Sequence, residues 1–157
     1  MKIEPLQDWR RLKKIRLEAL AEAPDAFGST HERALSYDDD NWRQQTRDLP
    51  TFVAVLNNID VGMVRGTAAD EDERSAYLIS MWVAPEAGGQ GAGERLIQSI
   101  VEWARAEKFD RLRLDVADEN ASAIALYQRV GFRPTAKVGS LPAPRQHILE
   151  HQQELLL

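Results

Sequence analysis

The chain has 157 residues, 43% of them apolar and 29% charged, enough for one domain whose core needs no covalent staple. It holds no cysteine, which removes disulfides, thiolate metal sites and cysteine nucleophiles together. A formal net charge of −5 argues against a nucleic-acid partner, because binding phosphates non-specifically needs a basic face.

Residues 1–4 predict a short strand ended by Pro5, with no apolar leader and no later run of membrane-spanning length. A single cytoplasmic domain over residues 1–157, with no membrane partner, is therefore expected. From Gln7 to Glu22 the residues Trp9, Leu12, Ile15, Ala19 and Leu20 recur at helical spacing, an amphipathic helix that must stop ahead of Pro24. Short helices are expected over Ser29–Leu35 and Asp38–Arg47. Asp38, Asp39 and Asp40 stand where carboxylates cap a helix and suit its dipole; attracting a cationic substrate is the alternative use of these acids and of Asp70–Glu73. Thr51–Leu56, the turn Asn57–Asp60 and Val61–Thr67 read as a hairpin. Ala76–Val83 is apolar nearly throughout, which predicts a central strand buried on both faces.

Four of the nine glycines then fall between Gly88 and Gly93, and a helix pattern begins near Gly91 with Leu96, Ile97, Ile100, Val101 and Ala104 on one side. The unpaired N–H groups and dipole of that helix start make a cradle for an anion such as phosphate or pyrophosphate; a tight turn with close packing is the plain alternative. A dinucleotide fingerprint would need glycine where Glu94 stands, and a Walker loop would need Lys and Ser or Thr where Glu94 and Arg95 stand. Arg111–Val116 alternates as a strand, parallel to the one ending at Val83 through a right-handed crossover. Ligands of such units lie at the strands' carboxyl ends, where the glycine loop is.

Asp118–Gly131 predicts a helix capped near Asp118 or Asn120 and stopped by Gly131, with a strand from Phe132 to about Val138 behind it. Tyr127 lies two turns from Asn120 on one face; alone, it reads as a core aromatic more readily than as a proton donor. His147-Ile148-Leu149-Glu150-His151 fits the H-x-x-E-H pattern of inverted zinc proteases. On a strand those histidines stand about 13 Å apart, too far to share an ion, so no metal site is expected.

Two segments together resemble the GNAT superfamily of N-acetyltransferases. Gln90, Gly91 and Gly93 sit in register with the loop Gln/Arg-x-x-Gly-x-Gly/Ala, with Gly88 departing at its first position. Asn120, Ala123, Leu126, Tyr127, Gly131 and Phe132 match Asn-x-x-Ala-x-x-Leu-Tyr-x-x-x-Gly-Phe, and the resemblance spans about residues 51–138. It implies an α/β fold: a mixed, mostly antiparallel sheet with one splayed parallel pair and helices on both faces. It also implies acetyl-CoA as cosubstrate and a primary amine of a small molecule or peptide as acceptor. By the same resemblance, Gly88, Gly89, Gln90, Gly91, Ala92, Gly93 and Glu94 hold the pyrophosphate. Met81, Trp82 and Val83 pair with the pantetheine arm, Asn120 hydrogen-bonds that arm, and Tyr127 is the general acid near the sulfur. The family often places a carboxylate on the strand before the loop, but Ser75–Ala84 has none, and Tyr77 and Ser80 are the polar groups available there. The expected base is thus a more distant acid reached through water, or the amine arrives partly neutral. A non-catalytic acyl-CoA sensor or interaction domain is the alternative. A homodimer is compatible with the sequence.

Overall fold

A computed structural model describes residues 1–157. Seven strands form one sheet: β1 (Lys2–Pro5), β2 (Thr51–Leu56), β3 (Ile59–Ala68), β4 (Ser75–Val83), β5 (Arg111–Ala117), β6 (Arg133–Ser140) and β7 (Leu149–Leu156), in the spatial order β1-β2-β3-β4-β5-β7-β6. Every pairing is antiparallel except β4 with β5. The helices are α1 (Trp9–Glu22), α2 (His31–Leu35), α3 (Asp39–Asp48), α4 (Ala92–Ala106) and α5 (Ala121–Val130). None of them is long and apolar enough to cross a membrane.

Side chains cap the helix starts, at Asp38 as the sequence predicts. Asp8 accepts from Arg10 N, Thr30 from Arg33 N and Asp38 from Asn41 N, each satisfying an otherwise orphaned donor at a helix start. Gly131, at φ +118°, closes α5. The hairpin is tighter than expected. Asn57 and Asn58, at φ +52° and +64°, make a two-residue turn that lets the ladder start at Leu56–Ile59, because asparagine tolerates the left-handed region such turns require.

Adjacent residues of β3 identify the two faces of the sheet. Arg65 reaches Gln45 of α3, whereas a Cβ on Gly66 would meet the Trp103 ring of α4 at 2.6 Å. One face thus carries α1 and α3, the other α4, whose stripe Leu96, Ile97, Ile100, Val101 and Ala104 is fully buried. The main core continues through both layers and includes Leu12, Ile15, Trp42, Met63, Leu112 and Phe132.

β4 corrects one expectation: it is not buried on both faces. Tyr77, Ile79, Met81 and Val83 are half-buried and alternate with buried neighbours. Two features open that side. The β4–β5 ladder holds only from Ser75–Arg111 to Tyr77–Arg113, after which the two strands no longer pair with each other. Opposite, the β3–β4 register shifts between Met63 and Arg65, with Ser80 at φ +58°, a bulge that bends β4 just where it leaves β5.

Candidate active site

A cleft of about 530 Å³ lies at the C-terminal end of β4, beyond the point where β4 and β5 part. Its floor includes Met81, Trp82 and Val83, one end is the turn from Gly88 into α4, and the opposite wall is α5. Every residue expected at the site lines it except Gln90, so two motifs separated by a crossover converge on one place.

The glycine turn has the shape of a cradle. Pro85–Ala87 forms a single 3-10 turn, after which Gly89 and Gly91 sit at φ +77° and +79°, where a side chain is strained. A Cβ on either would touch nothing within 4 Å, so these residues leave open space rather than fill a packed corner. Gly91 caps α4 without a side-chain acceptor, and the first N–H groups of that helix point outward. Gly93 is different: its Cβ would come 2.7 Å from Leu126 and 3.3 Å from Met81, so this glycine lets α4 start against α5 and β4. The donors, the dipole and the free space together fit a pyrophosphate.

Asn120 caps α5 by accepting from Ala123 N at 3.3 Å, and its side-chain amide borders the cleft. Tyr127 stacks edge-on against Phe132 at 5.7 Å and is 6% exposed. No protein group bonds its hydroxyl, and burial pushes its ionisation well above the ordinary range of a phenol. It therefore stays protonated at any working pH, as a proton donor must.

Neither Tyr77 nor Ser80 of β4 is free to act as a base. The Tyr77 hydroxyl donates to Glu71 at 2.7 Å and accepts from Gln152 at 3.0 Å. Burial and Glu71 push its pKa up to about 12. Ser80 accepts from Arg65 Nε at 2.9 Å. Asp115 and Glu150 are held above the ordinary carboxyl value by partial burial, and neither lines the cleft. The carboxylate that does reach the Met81–Val83 floor comes from α1: Glu22 Oε2 accepts from Trp82 Nε1 at 2.8 Å. The sequence gives no sign of this pairing, since Glu22 is an ordinary wet-face residue of a helix 60 positions earlier.

The acidic runs have structural partners. Asp38 caps α3, Asp40 pairs with Arg43, and Asp72 accepts from Arg74 N and Ser75 Oγ. Neither run lines the cleft. His151 lies on β7, as expected of a strand, with Nε2 2.6 Å from Asp118.

A family model described as the acetyltransferase (GNAT) family matches residues 12–132. The chain belongs to the GNAT family. Thialysine N-epsilon-acetyltransferase of Sus scrofa is 38% identical over 60 residues, 38% of this chain and 35% of that protein. Against the curated relatives that lead the matches, the GNAT chain spans only 24% to 49% of their length. Solved structures overlap along the whole fold. The GNAT acetyltransferase of Streptococcus pneumoniae superposes with a TM-score of 0.83 at 20% identity, covering 99% of this chain and 98% of that one. The yncA structure from Salmonella typhimurium, solved with its cofactor acetyl-CoA, gives 0.79 at 20% identity over 100% and 94%. The mixed sheet with one splayed parallel pair is thus the GNAT fold.

Proposed function

We propose that this GNAT domain moves an acetyl group from acetyl-CoA to a primary amine by direct attack within a ternary complex. The observation that supports it is the convergence in one cleft of a side-chain-free helix start, the unpaired edge of β4, an unpartnered tyrosine hydroxyl and a carboxylate. Backbone N–H groups at Gly91–Glu94 hold the pyrophosphate, and the edge of Met81–Val83 pairs with the pantetheine arm as an added strand. Acetyl-CoA supplies the activated acyl group; the residues of the chain position it and move protons.

Glu22 accepts a proton from the ammonium, directly or through one water, leaving a lone pair to attack. A backbone N–H near Met81 polarises the thioester carbonyl. As the carbon–sulfur bond breaks, Tyr127 donates its proton to the departing sulfur and regains one from the cleft. Glu22 supplies what β4 lacks, an acid within the cleft, and so favours an enzyme over a passive acyl-CoA sensor. Calorimetry with acetyl-CoA, followed by thiol release with a panel of amines, tests the reading. The panel includes side-chain amines of amino acids, the acceptor type named in the thialysine relative. Binding without turnover on any amine would leave the sensor; no binding would remove both.

A further inference from the structure

The layer between α1, α3 and β3 buries two cations and no anion. Arg16 of α1 and Arg65 of β3 are 5% and 6% exposed. Arg65 donates only to neutral acceptors, Ser80 Oγ at 2.9 Å and Gln45 Oε1 at 2.8 Å. Arg16 lies over the Phe27 ring at 4.6 Å, and its Nη1 is buried with no acceptor at all. Trp42, edge-on to Tyr37 at 5.7 Å, adds another buried donor without a partner, Nε1. Burial lowers the guanidinium of Arg16 to about 10; burial and then the charge of Arg16 lower that of Arg65 to about 9, so both remain charged at neutral pH. Like charges buried with spare donors are costly unless an anion completes them.

The place of this cluster says which anion. Phe27 lines the cleft; Arg16 and Arg65 do not, and Arg16 packs behind the Phe27 ring, which must swing aside for a ligand to reach it. Ser80, the partner of Arg65, is two residues before Trp82, which holds Glu22. Arg16 and Glu22 share α1 and are about 9 Å apart along its axis. We propose that Arg16 and Arg65 receive a carboxylate of the acceptor, which is therefore an amino acid whose reacting amine, at Glu22, stands several bonds from its carboxylate. The inference rests on the amine-acetylating reading above. Planar guanidinium forks match a carboxylate bidentately, and the added charge replaces the Phe27 contact with an ion pair.

The test compares 6-aminohexanoate with its neutral isostere 6-aminohexanamide. The wild type should prefer the acid at least tenfold in kcat/KM, and Arg16→Met and Arg65→Lys should each cut that preference at least tenfold. Separately, 6-aminohexanoate without acetyl-CoA should raise the melting temperature of the wild type but not of Arg16→Met, beyond sodium chloride at equal ionic strength. Without ligand, Arg16→Met should melt no lower than the wild type, because it removes an unpaired buried charge. An equal shift from chloride, no acid preference, or a less stable Arg16→Met with selectivity intact overturns the proposal. If acetyl-CoA binds and acid and amide are acetylated alike, the transferase reading stands and this one falls. If acetyl-CoA fails to bind, the transferase reading falls, and the melting shift still decides what the arginines hold.

Discussion

Trp82 Nε1 donates to Glu22 Oε2 at 2.8 Å, joining the last turn of α1 to the bulged end of β4. One hydrogen bond thereby places a carboxylate where the strand itself has none. Trp82 is 7% exposed, so its own position is set by packing, and Glu22 is oriented by a donor that does not move.

Glu22→Gln keeps an oxygen for Trp82 and removes the base. Turnover with an amine acceptor should fall about 10²-fold, the lower range for positioned proton transfer, while acetyl-CoA affinity stays within twofold. The residual rate should climb with pH as the free amine fraction rises. A Gln variant as fast as wild type at neutral pH would show that the amine loses its proton elsewhere.

Tyr127→Phe preserves the ring contact with Phe132 and leaves no protein partner stranded, so the melting temperature should not change. Turnover should drop about 10²-fold, modestly because a thiolate leaves fairly well alone. From the sequence, an ordinary phenol would ionise near 10 and give the wild type a descending limb at high pH. Burial removes that limb from the accessible range, so wild type and variant should differ by a constant factor. Rates measured from pH 6 to pH 10 check this.

Gly91→Asp puts a carboxylate on the anion cradle. Position 91 is at φ +79° with open space, a conformation Asp tolerates better than most residues, and Asp is a good helix cap, so the fold should persist. Acetyl-CoA affinity should weaken more than tenfold by calorimetry, from repulsion and lost space. Equal affinity in the two proteins would move the pyrophosphate away from this turn.

Gly66→Ala should destabilise by about 1–3 kcal/mol, because the new methyl meets a half-buried indole rather than the loose end of a side chain. Urea unfolding should show a lower midpoint with an unchanged slope.

Arg11 bridges Glu4 and Asp60 at 2.7 Å each, tying α1 to β1 and β3. Arg11 and then Lys2 hold the Glu4 carboxyl below its ordinary 4.5. A depressed folded value means this stabilisation is complete above 4.5 and disappears as pH falls through the lower folded value. The melting-temperature gap between wild type and Arg11→Met should therefore be constant near neutrality and narrow under acid.

The order of elements, the caps at Asp38 and Gly131, the glycine turn and the Asn120–Tyr127 face were legible in the chain because each depends on residues within two or three turns of one another. Local spacing dictates local backbone, and the crossover rule then sets β4 and β5 parallel. Matters settled by contacts between distant segments were not. The bulge at Ser80, the early end of the β4–β5 ladder, the capture of Glu22 by Trp82 and the convergence of Arg16 with Arg65 join residues about 15 to 60 positions apart. No periodicity encodes such pairs, since a wet-face acid and a strand arginine look the same in sequence whether they meet water or one another. Burial, which only the packed layers impose, decides which of them become a base, a buried cation or plain surface.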